Sequence, residues 1–335
     1  MNNFTRCLFP VGHGGFAVEV IDNSYLTVFD CGSDLCPVRV SHYIDFIKDD
    51  GLGPVNRLFI SHFDNDHVNC IRDLISKVGV REVVVPSIPK ELRFVYNAYT
   101  NGAYFSILDL FQNNENSERR AELVEVDDQG GFYKHDVWEW YAHNMLTEKD
   151  WEKLKDKLAE NNIQINQIGD ADYVEKKRQD INNCFIDVFG SKGPNSKGLV
   201  VLSQRTINTN MTQGRIKHGW PWKHVALPAN YSGCLYTGDA DLKNKGNRQE
   251  VLDFVRSKKH EQSLLLTQIP HHGSCHNVYE KFDQDFISEY YFYCDNTSVR
   301  LQKNGALYQN LVAANKLLEI RDVCDDLVLN EIILH

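Results

Sequence analysis

The sequence contains no run approaching about eighteen uncharged apolar residues, so it offers no membrane-spanning helix. Its most apolar stretches, Gly198 to Ser203 and Ser263 to Thr267, have the length of buried strands. Residues 1–15 (MNNFTRCLFPVGHGG) lack the apolar core and small-residue cleavage site of a secretory leader, and the mature chain is expected to start at Met1. There is no CxxC pair. The nine cysteines (7, 31, 36, 70, 184, 234, 275, 294 and 324) are odd in number and scattered, which fits reduced thiols in the cytoplasm better than a disulfide framework. Positive charge is scarce: 36 Lys and Arg against 46 Asp and Glu leave a net charge of −10. This excludes a chain that coats nucleic acid by bulk attraction, so any polyanion site must be local. Repeats and low-complexity tracts are absent as well.

What is present is an ordinary globular composition, 42% hydrophobic, 11% aromatic and 24% charged, over 335 residues. That length admits two or three domains or one large α/β domain with insertions, and the reading taken is a single domain over 1–335. Apolar, β-branched runs predict strands at Phe4–Phe9, Phe16–Ile21, Tyr25–Phe29, Arg57–Ile60, Glu82–Val85, Leu123–Val126, Cys184–Val188, Leu199–Ser203, Cys234–Tyr236, Leu264–Ile269 and Tyr290–Cys294. Helical periodicity predicts helices at about Val38–Lys48, Val68–Val78, Glu148–Glu160, Gln249–Lys258 and Ala306–Glu319. A layered α/β sandwich fits this order. The stretch from about 87 to 182 is rich in Asn, Glu and Lys of mixed charge and reads as a long insertion, a cap over the sandwich that offers a surface to a protein partner.

Chemistry concentrates in three windows. Ser61-His62-Phe63-Asp64-Asn65-Asp66-His67 follows a strand and opens a helical pattern, packing two imidazoles and two carboxylates into six residues where a chain can wrap around an ion. Tyr236-Thr237-Gly238-Asp239-Ala240-Asp241 ends another strand, and Ile269-Pro270-His271-His272-Gly273-Ser274-Cys275-His276 ends a third. Each has a bland reading when taken singly: an HxxxxH pair is usually surface or core histidine, and Gly-Asp is common turn chemistry. Their joint occurrence after buried strands is what points to a metal site.

The HxDxDH at His62 to His67, the TGD at Thr237 to Asp239 and the HHGS at His271 to Ser274, in this order, resemble the metallo-β-lactamase superfamily. More narrowly they resemble the soluble domain of ComEC-type DNA-uptake proteins, with Asp at the second ligand position. Phe29-Asp30-Cys31-Gly32 resembles that family's strand ending in Asp-x-Gly, and Pro194-Asn195-Ser196-Lys197 before Gly198–Leu202 resembles its Asn-x-x-Ser element. The match covers roughly residues 5–90 and 183–295, outside the insertion. It implies a four-layer αβ/βα sandwich with two divalent ions, Zn²⁺ or Mn²⁺, that activate a water for hydrolysis. His62 and Asp64 would hold one ion, Asp66 and His67 the other, Asp239 would bridge, and His271 or His272 would close the second site. Asp30 would stand behind a ligand histidine, with His13 and Ser274 also behind the ligands. Asp64 or Asp66 would steer a proton, and His276 or the spare histidine of the pair would serve as acid.

The sequence departs from that pattern at Pro10-Val11-Gly12-His13-Gly14-Gly15, where the family has Asp-Val-Gly-Gln-Gly-Asp; both acids are lost and a histidine is gained, which leaves His13 open as a ligand, an acid or a plain loop residue. The family's late Asn-x-Tyr-x-His-Pro element has no counterpart after Cys294. Between Asp187 and Asp239 there is no acidic residue, while Lys192, Lys197, Arg205, Arg215, Lys217 and Lys223 are interleaved with Trp220 and Trp222. This local basic, aromatic segment predicts a nucleic acid or nucleotide substrate held by Asn195, Ser196, Arg215, Lys217, Trp220 and Trp222. The first expectation is therefore a phosphodiesterase or nuclease. The alternatives are a hydrolase of lactones, thioesters or β-lactams, and a metal-stabilised partner-binding subunit of a DNA-processing or defence system.

Overall fold

The computed structural model describes residues 4–112, 121–191, 193–206, 214–218, 223–227, 231–259, 263–295, 299–320 and 330–334, with the backbone alone at 112, 214–218, 223–227, 231–232, 263, 299, 320 and 330–334. In chain order the strands are β1 (Phe4–Leu8), β2 (Ala17–Ile21), β3 (Tyr25–Phe29), β4 (Arg57–Phe59), β5 (Glu82–Pro86), β6 (Glu122–Val126), β7 (Gly131–His135), β8 (Trp138–Asn144), β9 (Leu199–Arg205), β10 (Gly214–His218), β11 (Lys223–Leu227), β12 (Tyr231–Tyr236), β13 (Ser263–Gln268), β14 (Ser288–Cys294), β15 (Leu317–Ile320) and β16 (Asn330–Leu334). Among the described residues they form a nine-stranded sheet, β11-β10-β16-β1-β2-β3-β4-β5-β6, and a seven-stranded sheet, β15-β14-β13-β12-β9-β8-β7.

Period-two alternation makes both sheets two-sided, and this builds the layers. In β9, Leu199 and Val201 face the other sheet while Val200 and Leu202 face helices. Between the sheets, Phe4 stacks on Trp138 at 3.7 Å and Phe29 on Tyr236 at 3.8 Å. Burying each such aromatic contributes roughly 1.5–3 kcal/mol. The outer face of the nine-stranded sheet packs against helices that include Pro37–Asp49, Arg93–Tyr99, Glu148–Glu160 and Ala171–Phe189. The outer face of the seven-stranded sheet packs against Lys245–Lys258 and Gly305–Ala313. The result is the expected four-layer αβ/βα sandwich.

Polar residues also lie between the sheets. Arg6 and Glu19, both fully buried, pair at 2.7 Å. The Glu19 carboxylate also accepts from Trp140 Nε1 (2.8 Å), Ser203 Oγ (2.8 Å) and Tyr236 Oη (3.0 Å). Because β1 and β2 belong to one sheet and β8, β9 and β12 to the other, this network joins the two layers.

Three sequence expectations are corrected. Part of the segment 87–182 is built into the sheets rather than laid over them: β6 is the edge strand of the large sheet, pairing in parallel with β5, and β7 and β8 extend the small sheet beside β9, while its helices Arg93–Tyr99 and Glu148–Glu160 cover the outer face of the large sheet. Cys184–Val188 is not a strand but the end of the helix Ala171–Phe189, which buries Ile181, Cys184 and Phe185 at helical spacing. The predicted helix Ala306–Glu319 stops at Ala313, and its last residues enter β15. No helix among the described residues is long and apolar enough to cross a membrane.

Candidate metal centre

The neighbours β3 and β4 run parallel, as do β12 and β13, so within each pair the carboxyl ends emerge together. Where the sheets face each other these ends meet, a position where parallel strands collect polar loops. Asp30 follows β3, His62 to His67 follow β4, Asp239 follows β12, and His271 and His272 follow β13. Gly238, at φ +50°, lets the Asp239 turn close over Ser61: a Cβ there would lie 2.8 Å from Ser61 Cβ.

Two groups of donors form. His62, His67 and Asp239 make one, all buried; Asp66, His272 and the half-buried His13 make the other. Asp239 lies between them. Its Oδ1 is 3.4 Å from His67 Nε2 and 3.8 Å from His272 Nε2, while its Oδ2 is 3.9 Å from His62 Nε2 and 3.7 Å from His271 Nε2. Asp66 Oδ2 is 3.1 Å from His272 Nε2, 3.4 Å from His13 Nδ1 and 3.6 Å from His67 Nε2.

The histidines are aimed by the groups behind them. His67 donates Nδ1–H to Asp30 Oδ2 at 2.8 Å, and Asp30 Oδ1 accepts the Ser61 backbone N–H at 2.7 Å. The Ser61 hydroxyl donates to Asp30 Oδ2 at 2.8 Å, which leaves its oxygen to accept from His62 Nδ1 at 2.9 Å. His272 donates Nδ1–H to the Cys294 carbonyl at 3.0 Å. In each case Nδ1 is the nitrogen committed to the partner behind the ring, and Nε2 is the one turned toward the centre. His62 Nε2, His67 Nε2 and Asp239 Oδ1 are buried there without a hydrogen-bond partner.

The carboxylates and imidazoles of the centre shift one another strongly. Burial alone would raise the carboxyls of Asp66 and Asp239, but His67 and His272 outweigh it and hold both below the usual carboxylate range. Burial alone would lower His67, but Asp66, Asp30 and Asp239 outweigh it and raise it well above an ordinary imidazole. His13 is pushed down to about 4 by burial, with His272 and Arg300 adding to the effect. Burial also lowers His271. Buried carboxylates this close together, facing orphaned imidazole nitrogens, fit divalent ions with mixed nitrogen and oxygen ligands.

Adjacent histidines reach different carboxylates because of their backbone. His271 (φ 51°, ψ 52°) and His272 (φ 52°, ψ 31°) are both left-handed. Such residues each cost roughly 1–3 kcal/mol and persist only where their surroundings hold them; here the His271 N–H donates to the Gly238 carbonyl at 3.1 Å.

The expected ligand pairing is rearranged. Asp64 belongs to neither group: as the extended residue before the helix Asn65–Val68 it leaves its side chain 43% exposed, 3.8 Å from His62 Nε2. Asp66 and His67 fall in different groups, and His13 sits within a group rather than behind one. His276 is exposed and belongs to neither group. The Ser274 hydroxyl accepts from the His276 backbone N–H at 3.4 Å. The Ser196 hydroxyl donates to the Gly193 carbonyl at 2.7 Å and so supports its own turn. Asn195 is buried, its Oδ1 has no partner, and it lines a cleft of about 870 Å³ beside Asp64 and Asp66. The opposite wall comes from Tyr99, Asn101, Ser106 and Asn182. The side chains of Arg215 and Lys217, and all of Trp220 and Trp222, lie outside the described residues; the backbone of β10 runs beyond β16, at the end of the sheet away from β6. Sequence reading missed Ser61, which has no motif of its own, and Arg300, whose charge reaches both His13 and His271.

No protein-family model and no curated protein matches this chain. Solved structures are similar to it. A metallo-β-lactamase from Cronobacter sakazakii carrying a mutated HARLDQ motif is 11% identical over 91% of this chain and 93% of its own, at a TM-score of 0.34. The metallo-β-lactamase SMB-1 bound to 2-mercaptoethanesulfonate is 10% identical over 93% and 97%, at 0.33. Native FEZ-1 metallo-β-lactamase from Legionella gormanii is 14% identical over 42% and 52%, at 0.26. All three are metallo-β-lactamases; none is described as a DNA-uptake protein.

Proposed function

We propose that this protein is a metal-dependent hydrolase that cleaves a phosphodiester in a substrate of nucleotide size. The observation that carries the reading is Asp239, whose two carboxylate oxygens face separate histidine sets, Oδ1 toward His67 and His272 and Oδ2 toward His62 and His271. His62, His67 and Asp239 would hold one cation and Asp66 with His272 the other. Divalent cations bound there supply Lewis acidity and lower the pKa of water enough for attack near neutral pH.

The chain's own residues do the rest. Asp30 and Ser61 keep the ligand imidazoles oriented, with Nδ1 of each committed and Nε2 toward the centre. Asp64, at the rim, is placed to accept a proton from the attacking water. The cleft beside Asp66 admits a substrate of nucleotide dimensions, with Asn195 and the Arg72 cation in its wall. Arg300 adds positive charge near His13 and His271, which favours an anionic group at the centre.

A second reading, hydrolysis of a neutral lactone, thioester or β-lactam, is favoured by the acids in the same wall: Asp34, Asp64 and Asp66 stand against Arg72 among its described residues. The test is hydrolysis by the purified chain under Mn²⁺, Zn²⁺ or chelator. The panel is bis(p-nitrophenyl) phosphate, cyclic and linear nucleotides, polynucleotides, and chromogenic esters and β-lactams, with Asp239→Ala as control. Metal-dependent phosphodiester cleavage lost in Asp239→Ala supports the first reading. Turnover of esters or β-lactams alone replaces it with the second.

A further inference from the structure

We infer that His13 is a third protein ligand of the cation held by Asp66 and His272, an assignment that rests on the metal reading of the site. His13 stands where the resembling family carries no histidine, in the turn between β1 and β2. That turn is pressed onto the centre. A Cβ at Gly14 would lie 2.2 Å from the Gly32 carbonyl oxygen and 2.9 Å from that of Asp66, so only glycine allows the approach. The His13 carbonyl accepts the Asp34 N–H at 2.9 Å, and the Gly15 N–H donates to the Asp66 carbonyl at 3.2 Å. The imidazole is thereby delivered against His272, with ring centroids 4.2 Å apart.

Neither ring nitrogen is hydrogen-bonded in a normal way. Nδ1 faces Asp66 Oδ2 across 3.4 Å and Asp34 Oδ2 across 3.8 Å. Both exceed the ~2.7–2.9 Å of a charge-assisted hydrogen bond. Nε2 is buried with no partner. The Asp66 contact is within ion-pair range but too long for a charge-assisted hydrogen bond, and the spacing also fits two ligands of one ion. Donors bound tetrahedrally at about 2.0–2.1 Å are about 3.3–3.4 Å apart, and Asp66 Oδ2 lies 3.4 Å from His13 Nδ1 and 3.1 Å from His272 Nε2. Asp66, His272 and His13 come from three chain segments, so the ion ties the β1–β2 turn to the loops after β4 and β13. It also has one position fewer for water than a two-ligand site would leave.

The experiment titrates the metal-free full-length chain with Zn²⁺ and with Co²⁺, followed by calorimetry and by visible absorption, for wild type, His13→Ala, His13→Cys and His62→Ala. Two binding steps are expected in wild type. His13→Ala should weaken one step by at least the ~10–100-fold that loss of a supporting residue costs, leaving the other unchanged, and His62→Ala should weaken the other step. His13→Cys should give a thiolate-to-cobalt charge-transfer band absent from wild type. Thermal melts of the metal-free variants separate loss of a ligand from loss of fold. If both steps in His13→Ala match wild type and His13→Cys shows no new band, His13 is not a ligand while the proposed function stands. A wild-type chain that binds no cation overturns both.

Discussion

Asp30 accepts the Nδ1 hydrogen of His67 at 2.8 Å, and through that bond a residue that touches no cation decides which nitrogen of His67 faces the centre. The same carboxylate receives the Ser61 N–H and hydroxyl, so His62 is oriented indirectly by Asp30 as well. Asp30 itself lies at φ 53°, a left-handed conformation that Asn tolerates nearly as well as Asp. Asp30→Asn should therefore fold normally yet weaken cation affinity by ~10–100-fold, since an amide no longer fixes the imidazole tautomer. Calorimetric titration of the metal-free variant checks this.

Cation binding should also appear as stability. At a free Zn²⁺ or Mn²⁺ concentration about 100 times its dissociation constant, a ligand selective for the native state adds about 2.7 kcal/mol. The melting temperature should rise on adding the ion and fall with chelator in wild type, and Asp239→Ala should abolish most of the response. An Asp239→Ala protein that responds as wild type does would remove Asp239 from the centre.

Between the sheets, Glu19 is the acceptor on which Arg6, Trp140, Ser203 and Tyr236 converge. Glu19→Ala leaves a buried guanidinium uncompensated and should destabilise the fold by ~3–5 kcal/mol, whereas replacing Arg6 and Glu19 together by Met and Leu should cost much less. Urea unfolding of the single and double variants distinguishes a network that merely must be complete from one that adds net stability.

The turn bearing Asn195 is tied to the helix Glu148–Glu160 by Lys197 and the largely buried Asp150, 2.8 Å apart. Burial alone would raise the Asp150 carboxyl, but Lys197 and Thr147 outweigh it and hold it below the ordinary value. A carboxyl depressed in the folded state binds fewer protons there than in the unfolded chain. Its stabilisation is therefore fully present above the unfolded value of about 3.9 and is lost as pH falls below that toward the folded value. Denaturant melts at pH 7 and pH 3 should show a smaller acid loss in Asp150→Asn than in wild type, with the variant already weaker at pH 7 by roughly 1–3 kcal/mol.

In the cleft, Asn195→Ala should raise KM for the substrate several-fold while leaving metal content unchanged, because Asn195 lines the cleft and is not a member of either donor group. Steady-state kinetics beside metal analysis of the same preparation tests this. A lost ion with unchanged KM would instead make Asn195 part of the centre.

The sequence alone was enough to single out the three His/Asp windows that the fold gathers, because its cues are local. A strand ending in Asp or His followed by glycine or a helix start is visible within about ten residues, and period-two and 3.6-residue patterns report which faces are buried. It also announced the layered α/β class and placed Asp30 beside the ligands. What the tertiary structure decided is which imidazole meets which carboxylate: His272 reaches Asp66 across 206 residues of chain, and two left-handed residues in succession send His271 to the other side of Asp239. The helical spacing of Ile181, Cys184 and Phe185 was present in the sequence but lost beside a β-branched run, and β6, β7 and β8 looked like an insertion because strand pairing is non-local. Nothing local in the sequence marks Arg6 and Glu19 as buried; the second sheet covers them. Spacing along a chain sets which groups are available, whereas distances between groups far apart in sequence are set only when sheets pack.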